Sequence, residues 1–285
     1  MFWRRARGDR ESSVPPKMAK DGVAAPPADD EGMNVLLECR HGRMLFNRHD
    51  IYVGRSLLTY GEFSELESVV LRQLVHPGDV VVEIGANIGA HTVALAKSAG
   101  PSGQVIAVEP QRIVHQLLCA NVALNDLVNV RCLHAAAGAA PGEIRVPHID
   151  YGRDNNFGGL ALGAYQDGEV VPVVTLDGLA LSNVRVLKID VEGMESEVLR
   201  GALQTIRRDR PAIYIENDRE EHSATLIRIL DAEGYAMYWH TPPLFNAENW
   251  FGVRDNVFGD IVSRNMLCFP RSAPHEVDLP PVAIP

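Results

Sequence analysis

The sequence predicts an α/β protein built on a doubly wound, mainly parallel sheet, and three observations carry that prediction. Apolar runs alternate with amphipathic stretches in a β-α-β-α-β series over residues 80 to 135, the order that gives a parallel sheet with right-handed crossovers. The runs VVVEI and QVIAVE are near-continuously apolar rather than strictly alternating, as strands covered on both faces are. The first run closes on the turn Glu83-Ile84-Gly85-Ala86-Asn87-Ile88-Gly89 and leads directly into a helix, the place where such sheets receive a ligand.

Composition narrows the functional classes. Of 285 residues, 46% are hydrophobic and 22% charged, ordinary for a globular chain. Acidic residues number 37 and basic residues 27, a formal charge of -10, so a phosphate backbone meets net repulsion and nucleic acid is not an expected partner. Cys39, Cys119, Cys132 and Cys268 stand far apart without a CxxC pair, which suggests neither a zinc cage nor a disulfide framework and fits a reduced, cytoplasmic setting. No apolar run reaches the roughly 18 to 20 residues needed to span a bilayer, so no membrane span is expected.

The elements follow in order. Residues 1–33 are rich in Pro, Ala and charge and lack apolar periodicity, so a disordered N-terminal arm is expected. VLLEC, the turn His41-Gly42 and RMLFN read as a hairpin,. The helix after it has Ser64 and Glu67 in capping-box spacing and Phe63, Leu66, Val70, Leu71 and Leu74 in helical period, up to Pro77-Gly78,. Residues 34–78 are thus a hairpin and helix cover for a domain spanning 79–269. That domain comprises strand VVVEI (80–84), a helix from about 89, strand QVIAVE (104–109), a helix over about 112–125 and strand VRCLHA (130–135). A Gly-rich insert with the short strand VVPVVTLD occupies 136–183, and winding resumes at VRVLKID (184–190). A helix over about 195–207, strand PAIYIEN (211–217), a helix over 219–233, strand YAMYWH and a last strand within 257–269 complete it, before a Pro-rich tail over 270–285. The last two strands are placed to pair antiparallel.

Chemistry gathers at the carboxyl ends of these strands. Gly85, Asn87 and Gly89 let backbone approach a ligand closely. A dinucleotide fold prefers GxGxxG and a helix start free for pyrophosphate; here Glu83 would repel phosphate. S-adenosylmethionine, with an ammonium, a sulfonium and a ribose diol but no phosphate, suits the turn better. Glu83 is placed to accept from its amino group, and Glu109, twenty residues after Gly89, to accept both ribose hydroxyls.

VVVEIGANIGAHTVALA, VIAVEP, NVALNDLVNV, VTLDGL and above all VLKIDVEGMESEVLRGA resemble, in that order and spacing, the FkbM family of S-adenosylmethionine-dependent methyltransferases. The resemblance covers about residues 55–217, more loosely to about 269, and KIDVEG is its specific part. It implies a class I methyltransferase with a Rossmann-like, seven-stranded sheet and a reversed last strand. It also implies S-adenosylmethionine as cofactor and transfer mostly to hydroxyl oxygens of sugars, polyketides or similar metabolites. Upstream segments of such enzymes often fold over the cofactor, which makes Glu62 a second candidate for the ammonium. Adenine lies after the third strand, where Ala136 and Ala137 are small. His91 with Thr92 departs from the family pattern, which has an aromatic residue nearby.

KIDVEG also has a physical reading of its own. Strand alternation puts Lys188, Asp190 and Glu192 on one side, rising toward the end where the reactive methyl should project. Ionisable groups on a core strand are costly unless paired or used; Lys188 has Asp190 and Glu216 as candidate partners. Of Asp190 and Glu192, one is expected to orient or deprotonate the acceptor hydroxyl and the other to order the loop or the cofactor's amino end. Asp190, Glu192, Glu216, Asn217 and His240 share one rim, an oxygen-rich set that suits magnesium or calcium. No tight ligand motif singles out a metal, so a divalent ion is the lesser expectation beside S-adenosylmethionine.

Asn155, Asn156, Phe157, Gly158 and Gly159 read as a lid or acceptor loop. The stretch from His240 to Phe251, with aromatics beside amides, suits a mixed polar and apolar acceptor, while His222 reads as a helix-surface residue. The expected function is methylation of a hydroxyl on a small-molecule or glycosidic acceptor. A nicotinamide-dependent oxidoreductase is the alternative that Glu83 and the missing third glycine oppose; a catalytically silent cofactor-binding protein is the other, since fold alone does not establish activity.

Overall fold

The computed structural model describes residues 32–163, 165–273 and 275–285; the arm expected over 1–33 lies outside the described residues except for its last two. The chain opens with the hairpin β1 (Asn34–Cys39) and β2 (Gly42–Asn47), then α1 (Val53–Tyr60) and α2 (Glu65–Leu74). The first half of the winding is β3 (Val80–Ile84), α3 (Ala90–Ala99), β4 (Gln104–Glu109), α4 (Arg112–Leu124) and β5 (Val130–His134). Three short strands follow, β6 (Ala136–Ala137), β7 (Gly142–Val146) and β8 (Glu169–Val174). The second half is β9 (Val184–Ile189), α5 (Glu195–Arg200), α6 (Leu203–Asp209), β10 (Ala212–Glu216), α7 (Glu220–Ala232), β11 (Tyr235–His240) and β12 (Asn265–Pro270).

Seven strands form the central sheet in the order β11-β12-β10-β9-β3-β4-β5. β12 runs antiparallel to both its neighbours, while β10, β9, β3, β4 and β5 pair in parallel. This is the Rossmann-like sheet with a reversed last strand. Alternation along each strand divides the core into two layers. Val82, Ile84, Leu187, Ile189, Ile213 and Ile215 pack with α5, α6 and α7, whereas Val81, Val105 and Val186 pack with α2 and α3. The hairpin lies against α4, where the amide of Asn121 accepts from Leu45 N at 2.6 Å and donates to its carbonyl at 3.0 Å.

Four local readings are corrected. α1 is absent from the sequence reading because it has only eight residues and includes Gly54, too short for a helical period to register. Its start is capped by Asp50, whose Oδ1 accepts from Tyr52 N and Val53 N at 2.9 Å each. Ser64 and Glu67 do not form a capping box: Ser64 is left-handed at φ 42°, and its hydroxyl donates to the Glu67 carboxylate at 2.6 Å. The helix expected over 195–207 is broken at Gly201, where a Cβ would stand 2.0 Å from the carbonyl of Gly138. The insert holds, besides the strand expected at VVPVVTLD, which is β8, two further short strands, so that β6, β8 and β7 make a second, three-stranded sheet. The Pro-rich tail runs along β11, with Trp239 N donating to Pro280 O and Val282 N to Met237 O.

One glycine is fixed by contact as well as by conformation. At Gly85, φ is 83° and a Cβ would lie 1.6 Å from the carbonyl oxygen of Asp190. Gly85→Ala is therefore expected to cost more than about 3 kcal/mol through clash and left-handed strain, measurable as a lower denaturant midpoint.

Candidate active site

The carboxyl ends of β3, β4, β9 and β10 meet around a cavity of about 310 Å³. It opens between β3 and β9, where the strand order reverses, the crevice in which open α/β sheets bind ligands. Gly85, Asn87, Glu109 and Gln111 line one half of it; Asp190, Glu192 and Glu216 line another part.

Glu109 is buried and each of its oxygens accepts one backbone N–H, Oε2 from Asn87 at 3.0 Å and Oε1 from Gln111 at 2.8 Å. A carboxylate has about four acceptor positions, so both oxygens keep capacity toward the cavity. Burial pushes its pKa up to about 7, against the pull of the two N–H groups. Asn87 is left-handed at φ 51°, which turns its N–H onto Glu109. Opposite it, a Cβ on Gly158 would come 2.7 Å from Asn87 Nδ2, so the loop from Asn155 to Gly159 closes directly over the turn.

Behind this wall runs a buried polar row. The registers Glu83↔Lys188 and Lys188↔Tyr214 put three polar side chains abreast on neighbouring strands, facing α2 and α3. Lys188 Nζ lies 3.0 Å from Asp190 Oδ2 and 3.9 Å from Glu83 Oε1. Burial works against its charge, but Asp190, Glu83 and Glu67 outweigh it and hold the ammonium above its ordinary pKa. Glu83 takes a hydrogen bond from Thr92 at 2.6 Å, and burial lifts its carboxyl to about 7 in spite of Lys188 and Thr92. Tyr214 continues the row through its hydroxyl to His240 Nδ1 at 2.7 Å. His91, paired with Ser68 at 2.9 Å, is driven well below its ordinary pKa by burial, then by Lys188, so it is neutral.

At the outer rim Asp190, Glu192 and Glu216 each bring a carboxylate oxygen within 4.8 Å of the others. Strand alternation is not what delivers Glu192: β9 ends at Ile189, and Glu192 turns back with φ 54° to pair with Arg219 at 2.8 Å. Burial raises the carboxyls of Glu192 and Glu216, and Asp190 raises both further.

Several expected site residues sit elsewhere. Glu62 does not line the cavity; it is buried under Arg40, Asn246 Nδ2 and Trp250 N and ties the N-terminal unit to the segment after β11. Ala136 pairs with Val173 in the small sheet and is likewise outside the lining. Gly89 caps α3 with φ 86° behind the cavity wall. Asn217 donates to Met266 Sδ and His240 is held by Tyr214, so neither joins the acidic rim. Lys188 pairs with Asp190, not Glu216. The aromatics Phe245, Trp250 and Phe251 are absent from the lining, where Leu244, Ile261 and Val262 stand instead. His222 is exposed, as expected. Sequence reading missed Glu67 and Gln111: the first was hidden by its capping-box spacing, and the second carried no signal beyond standing two residues after Glu109.

The raised carboxyls make stability depend on pH. Glu109 ionises near 4.5 when unfolded and near 7 when folded, so between those values the folded state binds more protons and its stability falls as pH rises, levelling above about 7. Lowered His91 and His240 act in the opposite sense. The expected signature is therefore a difference: the melting temperature of the parent protein minus that of Glu109→Gln decreases from pH 5 to pH 7.5.

The Methyltransferase FkbM domain profile matches residues 83–237, and no curated protein matches significantly. Among solved structures, FkbM methyltransferase from Methylobacillus flagellatus is 17% identical, with a TM-score of 0.46 over 77% of this chain and 55% of its own. Precorrin-6y C5,15-methyltransferase from Geobacter metallireducens is 11% identical, with a TM-score of 0.47 over 71% and 87% of the two chains. TYW2 from M. jannaschii, in complex with AdoMet, is 15% identical, with a TM-score of 0.46 over 83% and 85%. The domain match spans more than half of the sequence and includes the Glu83 turn, Glu109 and the KIDVEG segment: the chain belongs to the FkbM family of S-adenosylmethionine-dependent methyltransferases.

Proposed function

We propose that this enzyme methylates a hydroxyl oxygen on a small, uncharged or cationic acceptor such as a sugar or another hydroxylated metabolite. The observation that carries the reading is the charge of the cavity. Seven acidic side chains line it against Lys188 and Arg264; burial raises several of them, and a bound cation would draw them into their ionised form, so the lining favours a sulfonium cofactor and opposes a phosphate-bearing acceptor. S-adenosylmethionine, when bound, supplies an electrophilic methyl group. The free acceptor positions of Glu109 fit a ribose diol, and Gly85, Asn87 and Gly158 leave the backbone cradle that a bulky nucleoside requires. Glu83, held by Lys188 and Thr92, fits the ammonium end.

Asp190 is the proposed general base. It is half-exposed to the cavity and anchored by Lys188 at 3.0 Å, so its oxygens are oriented while one keeps room for an acceptor hydroxyl. Glu192, tied to Arg219, orders the turn that carries Asp190. Leu244, Ile261 and Val262 give the acceptor an apolar wall.

Calorimetric titration with S-adenosylhomocysteine and with NAD, followed by a methyl-transfer assay over hydroxylated acceptors, tests the reading. Binding of the first alone and a methyl ether in the product are expected. Methylation of nitrogen or of RNA, or no affinity for S-adenosylhomocysteine, would overturn it.

A further inference from the structure

We propose that Asn265 and Glu216 form an acceptor-binding pair that holds a second hydroxyl beside the one being methylated, so that the acceptor is a vicinal diol such as a pyranose or a cyclitol. The two residues stand directly opposite each other where β10 meets β12, and both line the cavity. Directly opposed residues of an antiparallel pair project to the same face with Cβ atoms about 4.5–5.5 Å apart.

Each carries a polar atom that the protein leaves unanswered. Asn265 is only 4% exposed, and its Nδ2 is shut off from solvent with no hydrogen bond. The Tyr214 hydroxyl beside it is bound to His240 Nδ1 at 2.7 Å. Glu216 Oε2 is enclosed in the same way. The cations around it are engaged elsewhere: Lys188 with Asp190 and Glu83, Arg219 with Glu192, and Arg264 over the Trp239 ring. Buried polar atoms without partners are costly, and here a donor and an acceptor are left side by side without bonding to each other.

An unused donor next to an unused acceptor selects the ligand. A hydroxyl donates and accepts at once, so its proton goes to Glu216 Oε2 and its lone pair takes the N–H of Asn265. A cation would satisfy the carboxylate but meet the N–H with like partial charge, and an anion has the reverse fault. This hydroxyl also has to lie close to the reacting one. An oxygen of Glu216 is within 4.8 Å of one of Asp190, and O–H···O bonds are about 2.5–3.0 Å long, so hydroxyls on adjacent carbons can bond to one residue each. On the hydroxyl-methylation reading above, on which this inference rests, the pair decides which of several hydroxyls is presented to Asp190.

The test uses the full chain saturated with S-adenosylhomocysteine, with cis- and trans-cyclohexane-1,2-diol and cyclohexanol as probes and affinities read by saturation-transfer magnetic resonance. The same probes are then offered with S-adenosylmethionine. One diol isomer is expected to bind at least about tenfold more tightly than cyclohexanol, because an analogue lacking the second hydroxyl leaves both buried groups unpaired. Asn265→Ala and Asn265→Asp should each bring that preference to within about threefold of parity. Their S-adenosylhomocysteine affinity and melting temperature should stay close to those of the parent protein, since the Nδ2 group holds nothing within the protein. Should neither variant fold, Glu216→Leu carries the same expectation for the preference. No binding of either diol by protein that binds S-adenosylhomocysteine, equal affinity for diol and cyclohexanol, or an unchanged preference in the folded variants would overturn the proposal. Methylation of cyclohexanol as readily as of the diols would do so too while leaving hydroxyl methylation standing. Diol-selective binding without methyl transfer to oxygen would sustain the pair and overturn the functional reading instead.

Discussion

Asp190→Asn is expected to lower turnover by about 100- to 10,000-fold, the usual contribution of a general base, while affinity for S-adenosylhomocysteine changes by less than about threefold. The substitution keeps shape and keeps an oxygen for Lys188, which now stands 3.0 Å from the carboxylate. Backbone placement is retained too, because Asp190 N donates to Ile84 O at 2.9 Å regardless of the side chain. What disappears is the capacity to take a proton. Single-turnover kinetics beside calorimetry separates the two quantities, and a parallel loss of both would remove Asp190 from the role of base.

Glu109→Ala is expected to weaken cofactor binding by about 100-fold or more, since hydrogen bonds to a charged acceptor contribute about 1.5–3 kcal/mol each and two ribose hydroxyls lose theirs. The same change strips Asn87 N and Gln111 N of their acceptor, so the turn should loosen and the melting temperature fall. Glu109→Gln, which retains one carbonyl oxygen, should fall between the parent protein and the alanine variant in calorimetric affinity. Unchanged affinity in the alanine variant would contradict a nucleoside seated against this carboxylate.

Much of the framework is legible in the sequence because its signals are local. VVVEI and QVIAVE coincide with β3 and β4 at both ends, since each is bounded by turn residues and filled with groups that want cover on two faces. Glu109 could be placed from spacing alone, because the length of one β-α-β unit fixes the end of its second strand. Glu192 could not: counting alternation works only while the chain remains extended, and the left-handed turn at Glu192 and Gly193 intervenes. Glu62 and Glu67 illustrate a different limit. Both are buried acids near the start of α2, and only packing decides that Glu67 reaches the cavity while Glu62 is enclosed by Arg40 and Trp250. The partner of Lys188 was ambiguous for a similar reason, as strand register across β3, β9 and β10 is a property of the assembled sheet.

The abutment of Gly85 on the Asp190 carbonyl has a bearing on how this enzyme can be redesigned. One peptide unit abuts the glycine turn proposed to hold the nucleoside and carries the carboxylate proposed as base, so neither can be shifted alone. Retooling for a bulkier acceptor has to proceed through the outer wall at Leu244, Ile261 and Val262, where side chains can shrink or grow without disturbing that shared footing.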